Sequence, residues 1–216
     1  TGNVAWAALA LRTLFDATED RHYLDAAADL ARWAKADSTD AHAPAGFNGG
    51  LFGYDAAPER LTWKSTEHNV DLAAVYDWLA RLEPAAGWQD WARLARAFVA
   101  AQWDAKDGRF WVGTLPDGIT ANRKNAGLDA ALWPLLLADA PSDWQRSIRF
   151  VERHHRVGAG FDFNDDRDGI WWEGTAQAAL VYRALGRSKD SDRLLTALGG
   201  DVSPGGLLWA TSVKRL

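Results

Sequence analysis

The stretch Leu61-Thr-Trp-Lys-Ser-Thr-Glu-His-Asn-Val-Asp-Leu72 places two carboxylates, Glu67 and Asp71, where an aromatic-bearing extended segment turns into an apolar helix. Ser65 or Thr66 is the expected cap, and residues four apart share a helix face, so the two carboxylates point the same way. Other apolar helices begin with residues of the same kind: Asn3 in one, Asn125 and Asp129 in another, and Trp171, Trp172, Glu173 and Gln177 in a third. Carboxylates beside indole rings suit glycosidic chemistry. One group protonates the leaving oxygen, a second activates water or attacks carbon, and a flat ring stacks on the sugar. Glu67 and Glu173 are the first acid and base candidates, Asp71 and Asp129 the second. Trp63, His68, Trp111, Asn125, Trp171, Trp172 and Gln177 form the expected substrate-binding set. For Glu173, neighbouring indoles favour the protonated form, whereas a helix N-terminus favours the carboxylate. An acidic residue in a first turn also complements the helix dipole without doing any chemistry, and that plainer reading stands beside the catalytic one.

The run Asn164-Asp-Asp-Arg-Asp-Gly169 carries oxygen side chains at alternate positions, Asn164, Asp166 and Asp168, with Gly169 where a tight turn needs it. This is the frame of a calcium loop, and calcium is the cofactor it would take; carboxylate chemistry itself requires none. The twelfth place of the frame is Thr175, not the bidentate glutamate, and Glu173 falls two places early. The plainer reading is an Asx-rich turn. His68, His154 and His155 have no metal-binding spacing, and the last two are expected to be solvated on a surface helix.

The elements that must position these groups follow a cycle. Asn3 to Thr18 is apolar on nearly every side and reads as a buried inner helix; the stretch to Ala36 is amphipathic and reads as an outer one. After a Gly-rich connection that includes Gly46–Tyr54, the cycle repeats: Thr66–Leu82 inner, a turn at Glu83–Gly87, Trp88–Trp103 outer. Gly108–Gly118 alternates and ends in an Asp-Gly turn, which predicts a hairpin. The inner helix Leu128–Ala138 follows, bent by Pro134, and then the outer helix Asp143–Val157. The acidic loop Phe161–Ile170 leads to the inner helix Trp172–Leu185, closed by Gly186, and to an outer helix over Asp190–Leu198. Four helical hairpins thus recur in an all-α array. Side-by-side packing gathers the long loops at the N-terminal ends of parallel inner helices, with short β-hairpin loops at that mouth.

Composition bounds the rest. With 216 residues, 48% of them apolar, the chain is long enough for a single domain, 1–216. A net charge of -5 with interspersed signs provides no basic stripe for nucleic acid. No apolar run approaches the length of a membrane span. Absence of cysteine leaves the compartment open, with the extracytoplasmic side favoured. The chain starts at Thr1 and contains no methionine, so a processed or excised part of something longer is expected. Thirteen tryptophans exceed what a core of this size asks for. Trp6, Trp78, Trp91 and Trp144 read as core; Trp63, Trp111, Trp171 and Trp172 lie in or beside loops and read as groove residues.

The segments Thr1–Leu11, Trp63–Asp71, Gly160-Phe-Asp-Phe-Asn164 and Trp171-Trp-Glu-Gly-Thr-Ala-Gln177 resemble stretches of uncharacterised bacterial members of the six-hairpin glycosidase-like superfamily. The resemblance implies an (α/α)₆ toroid with an oligosaccharide or polysaccharide groove at the inner-helix N-termini, and acidic catalysts if the chain is a hydrolase. The fold also hosts polysaccharide lyases and sugar epimerases, for which His68 would be the base, and it allows a non-catalytic toroid that binds glycans or proteins. The four hairpins read here are fewer than six, so the toroid is expected to be partial, completed by further sequence or by a homo-oligomer.

Overall fold

The structure is a computed structural model that describes residues 1–53 and 56–213. Tyr54, the last residue of the Gly46–Tyr54 run, lies outside the described residues. The chain divides into two compact units: Thr1–Gln102 with Val112–Asn122, and Trp103–Trp111 with Arg123–Leu216.

In the first unit, α1 (Gly2–Thr18) and α2 (Arg21–Ser38) form one hairpin, and α3 (Thr66–Leu82) and α4 (Trp88–Ala101) another. Asp20 caps α2, accepting from the His22 N–H at 2.9 Å. α3 is the inner helix its sequence predicts, with Val70, Leu72, Ala73, Val75, Tyr76, Trp78 and Leu79 buried. α4 packs on it through Ala92, Ala95, Phe98 and Val99. The Tyr76 hydroxyl donates to the Ala31 carbonyl at 3.0 Å, which fixes α2 against α3. α1 departs from expectation. Only Gly2, Ala5 and Ala8 are buried, while Trp6 and Leu14 are 46% and 44% exposed. Helices α2 and α3 cover one side of it.

The second unit contains α5 (Leu128–Leu132), α6 (Arg146–His154), α7 (Trp172–Ala184) and α8 (Ser188–Gly199). Pro134 stops α5 rather than bending it. α-Helical geometry ends after five residues and a 3₁₀ turn follows over Trp133–Leu136, because proline has no N–H to give the preceding turn and its ring crowds that turn. Another 3₁₀ turn, Ser142–Gln145, buries Trp144 and precedes α6, on which Ile148 and Val151 point inward as their spacing predicts. Gly186 closes α7 with φ +77°.

Two-stranded antiparallel ribbons leave the ends of three outer helices: β1 (Thr39–Asp40) with β2 (Gly46–Phe47) after α2, β5 (Trp103–Asp104) with β6 (Arg109–Phe110) after α4, and β7 (Arg156–Val157) with β8 (Gly160–Phe161) after α6. A further ribbon joins β3 (Gly50–Phe52) to β4 (Glu59–Leu61). The register repeats. Thr39, Trp103 and Arg156 face Phe47, Phe110 and Phe161, and these three rings are buried. The residue before each ribbon, Ser38, Gln102 or His155, is buried as well. The expected 108–118 hairpin is therefore two features. Arg109 and Phe110 belong to β6, whereas Thr114 bridges Ala121 across the Asp117-Gly118 turn. No helix among the described residues is long and apolar enough to cross a membrane.

Candidate active site

In the first unit, the start of α3 is assembled around Lys64. Its side chain is fully buried, and Nζ donates to the carbonyls of His42, Pro44 and Gly118 at 2.8–2.9 Å while lying 3.0 Å from Asp40 Oδ2. One cation thus draws two loop segments, the β1–β2 connection and the Asp117-Gly118 turn, to the residue before the helix cap. Burial acts to raise the Asp40 pKa, but the His42 N–H and the Lys64 ammonium outweigh it and hold the carboxyl below its ordinary value. Ser65 caps α3, accepting from the His68 N–H at 3.4 Å. Asn69 accepts from the Phe47 N–H at 2.9 Å and donates to the carbonyls of Phe47 and Ser65 at 3.0 and 2.8 Å, sewing β2 to the first turn.

On this frame Glu67 is half-buried and Asp71 is buried. The His68 ring sits 5.5 Å from that of Trp63, centroid to centroid. It also presses on Gly2 of α1, where an added Cβ would lie 2.5 Å from His68 Cδ2 and Nε2. The starts of α1 and α3 therefore adjoin, as parallel inner helices require. Desolvation lowers the His68 pKa to about 4, so the ring is neutral near pH 7.

The second unit repeats the arrangement. A Cβ on Gly174 of α7 would lie 2.7 Å from Leu128 Cδ2 of α5, which sets Glu173 and Asp129 on adjoining helix starts. Asp129 is half-buried, with Oδ1 accepting from the Ala130 N–H at 2.6 Å; Glu173 is exposed. The Trp171 N–H donates to Phe161 O at 2.8 Å, and the Leu128 N–H to Phe163 O at 2.9 Å. The Phe163 ring stands edge-on to Trp171, centroids 5.1 Å apart. Trp171 is half-buried and remains available as a stacking surface. Trp172 is not a groove residue: it is buried, because it occupies the inward side of the first turn of α7. Gln177 is buried too, and its Oε1 has no partner among the described residues. Arg109 lies over the rings of Trp111 and Phe150 at 4.3 and 4.4 Å and donates to the carbonyl of Asn125, which is itself exposed. A cleft of about 400 Å³ lined by Lys106, Asp107, Arg109, Phe150, Arg153, His154 and Asp165 lies in this unit and takes in none of the expected site residues.

At the acidic loop Asn164 Oδ1 accepts from the Asp166 N–H at 3.0 Å, and one carboxylate oxygen each from Asp162, Asp166 and Asp168 lie within 4.8 Å of one another. Thr175, in the twelfth place of the calcium frame, instead pins the start of α7, accepting from the Phe161 N–H at 3.0 Å and donating to Trp171 O at 2.9 Å. His155 is buried rather than solvated. α6 ends at His154, and the next residue turns inward as the chain enters β7, so that burial lowers its pKa to about 4. Asp162 was legible only through the recurrence of Gly-Phe followed by a short polar side chain, Gly46-Phe-Asn48 and Gly160-Phe-Asp162.

No protein-family model and no curated protein sequence matches the chain. Solved structures do. The chain is similar to the cellobiose 2-epimerase of Bacillus thermoamylovorans, at TM-score 0.75 and 12% identity over 96% of this chain and 62% of that one. It is similar to a GH76 α-mannanase of Bacteroides thetaiotaomicron, at TM-score 0.71 and 12% identity over 97% and 60%. An inactive variant of an α-1,6-mannanase from a Salegentibacter species, in complex with α-1,6-mannotetrose, matches at TM-score 0.67 and 16% identity over 95% and 66%. The chain spans about three fifths of the length of the first two. The likeness establishes the fold: this chain shares the helical-hairpin architecture of these structures.

Proposed function

We propose that this protein acts on oligosaccharides or polysaccharides as a glycoside hydrolase, with its acid and base drawn from Glu67, Glu173, Asp71 and Asp129. The observation that carries this reading is that every one of these carboxylates sits in the first turns of an inner helix whose start adjoins that of a second, through Gly2 and His68 in one unit and Leu128 and Gly174 in the other. The fold is one in which α-1,6-mannanases are found. Helix N-termini supply a positive field that keeps a nucleophilic or basic carboxylate ionised, while Trp63 and Trp171 offer half-exposed rings for the sugar face. Incubation with α-mannans and a panel of β-glucans, followed by reducing-end detection, tests the reading. New reducing ends support it, and an unchanged glycan after long incubation at high enzyme concentration defeats it.

A second reading, sugar epimerisation, is favoured by one observation: His68 is a neutral imidazole at the start of α3, in a fold shared with a cellobiose 2-epimerase. An imidazole with a pKa near 4 accepts a proton less readily than one near 7, which weighs against it as the base in the free protein. Products of unchanged mass and altered stereochemistry would identify this chemistry.

A further inference from the structure

The loop between β8 and α7 contains a charge that the protein itself does not balance. Asp162 has 0% of its surface exposed. Its Oδ1 accepts from the Phe163 N–H at 2.7 Å, while Oδ2 is buried and has no well-formed hydrogen bond among the described residues. In the first unit the corresponding place, after the Gly-Phe pair of the ribbon, is held by Asn48. That neutral amide is buried too, and its Oδ1 accepts from the Gly50 N–H at 3.0 Å. The repeat therefore tolerates a small polar side chain here, and only the second copy makes it an acid. A buried carboxylate without a counter-charge is strongly disfavoured.

Asp162 faces the groups that would resolve this. One oxygen each from Asp162, Asp166 and Asp168 lie within 4.8 Å of one another. Oxygens that bind one calcium ion at its usual distances stand no more than about 5 Å apart, so a single ion can reach all three. The donors are hard oxygens only, with no imidazole or thiolate among them, which selects calcium or magnesium over zinc and copper. Asp166 and Asp168 are exposed, which leaves room for water and backbone oxygens in an irregular shell. Calcium accepts such a shell, whereas magnesium demands near-octahedral order.

We propose that Asp162, Asp166 and Asp168 bind a calcium ion, and that the ion locks the segment joining β8 to α7. Because Phe163 O holds the Leu128 N–H and Phe161 O holds the Trp171 N–H, the ion also fastens the starts of α5 and α7 to one loop. This holds whichever reaction the chain performs.

The test uses the full chain after chelator treatment and dialysis, titrated with calcium chloride by calorimetry, with terbium luminescence sensitised by tryptophan as a second readout. One ion per chain and a rise in Tm of about 5 °C at saturating calcium are expected. Asp162→Asn, and separately the double variant Asp166→Ala/Asp168→Ala, should abolish both effects; the double variant changes exposed residues only and so keeps the test valid if Asp162→Asn folds poorly. Asp165→Asn, adjacent but outside the cluster, should leave both unchanged. Absence of calcium binding in the wild-type chain, binding that survives the double variant, binding lost equally in Asp165→Asn, or a preference for magnesium over calcium would each overturn the assignment.

Discussion

Gly174 and Leu128 touch where α7 and α5 begin. A Cβ at position 174 would stand 2.7 Å from Leu128 Cδ2 and 2.1 Å from Trp171 Cε3. Neither neighbour is the loose end of a long flexible chain, so the clash is relieved only by moving a helix or the half-buried Trp171 ring. Glycine inside a helix ordinarily costs about 1 kcal/mol relative to alanine, and here the contact reverses that preference. Gly174→Ala should lower stability by about 2 kcal/mol, read as a fall in the urea midpoint at constant m-value. Gly199→Ala, at the end of α8 with nothing within 4 Å of its added Cβ, should change stability by less than about 1 kcal/mol. Equal effects at the two positions would mean that α5 and α7 do not meet at Gly174.

Lys64 and Asp40 form the other fixed point. Lys64→Met keeps the length and apolar stem of the side chain but leaves three carbonyls and a carboxylate without their donor. Removing one partner of a buried pair costs about 3–5 kcal/mol, so Lys64→Met should destabilise on that scale. Asp40→Asn should cost less, since Nζ retains its carbonyls. In a double-mutant cycle the two changes should be clearly non-additive, with a coupling above about 1 kcal/mol. Additive losses would show that Asp40 and Lys64 act separately.

Much of this architecture was legible in the sequence because it rests on local signals. α3 runs over the residues that its apolar pattern marked, with Ser65 as its cap, and the outer helices α2, α4 and α6 turn their expected faces inward. What could not be read depends on partners remote in sequence. α1 is apolar all round, yet Trp6 and Leu14 are exposed, because periodicity reports what a helix is able to bury and not which neighbour is present. α5 failed through Pro134, where the competing outcome, a 3₁₀ turn, differs little in sequence signal from a bend.

The site was legible at the level of elements and less so at the level of atoms. The first-turn positions of Glu67, Asp129 and Glu173, and that of Asp71 one turn on from Glu67, follow from helix starts alone. The burial of Trp172 and the exposure of Glu173 beside it follow from which way the first turn of α7 faces, and that is set by Gly174 packing on Leu128. The alternation of the acidic loop does not reach Asp162, a residue two places before the frame that the β7–β8 ribbon draws to within 4.8 Å of Asp166 and Asp168.

His68 makes stability depend on pH with a definite sign. Its ring is held neutral in the fold, with a pKa of about 4, against about 6.5 in an unfolded chain. Between those values the unfolded state binds more protons, so this group's contribution falls as pH drops from 6.5 to 4 and is constant below that. The limiting slope for one such group is about 1.4 kcal/mol per pH unit. His155 has the same sign, so the informative quantity is the difference between wild type and His68→Gln. The wild-type stability curve should be steeper in that window by up to this slope, and parallel curves for the two proteins would mean that His68 is protonated as easily in the fold as in water.

Glu173 offers the cleanest separation of chemistry from structure. It is exposed, and as a first-turn acid it contributes at most about 1 kcal/mol to α7 through the helix dipole. Glu173→Gln keeps the shape and one acceptor, so the fold should survive with little change in Tm. If Glu173 transfers the proton at the glycosidic oxygen, kcat should fall by about 10²–10⁴ while the affinity for an oligosaccharide substrate stays within a few-fold. Glu67→Gln tested in parallel assigns the partner role: a comparable loss makes Glu67 the second carboxylate, and retained turnover moves that role to Asp129 or Asp71. Full activity in Glu173→Gln would leave Glu173 as a dipole partner of α7 and nothing more.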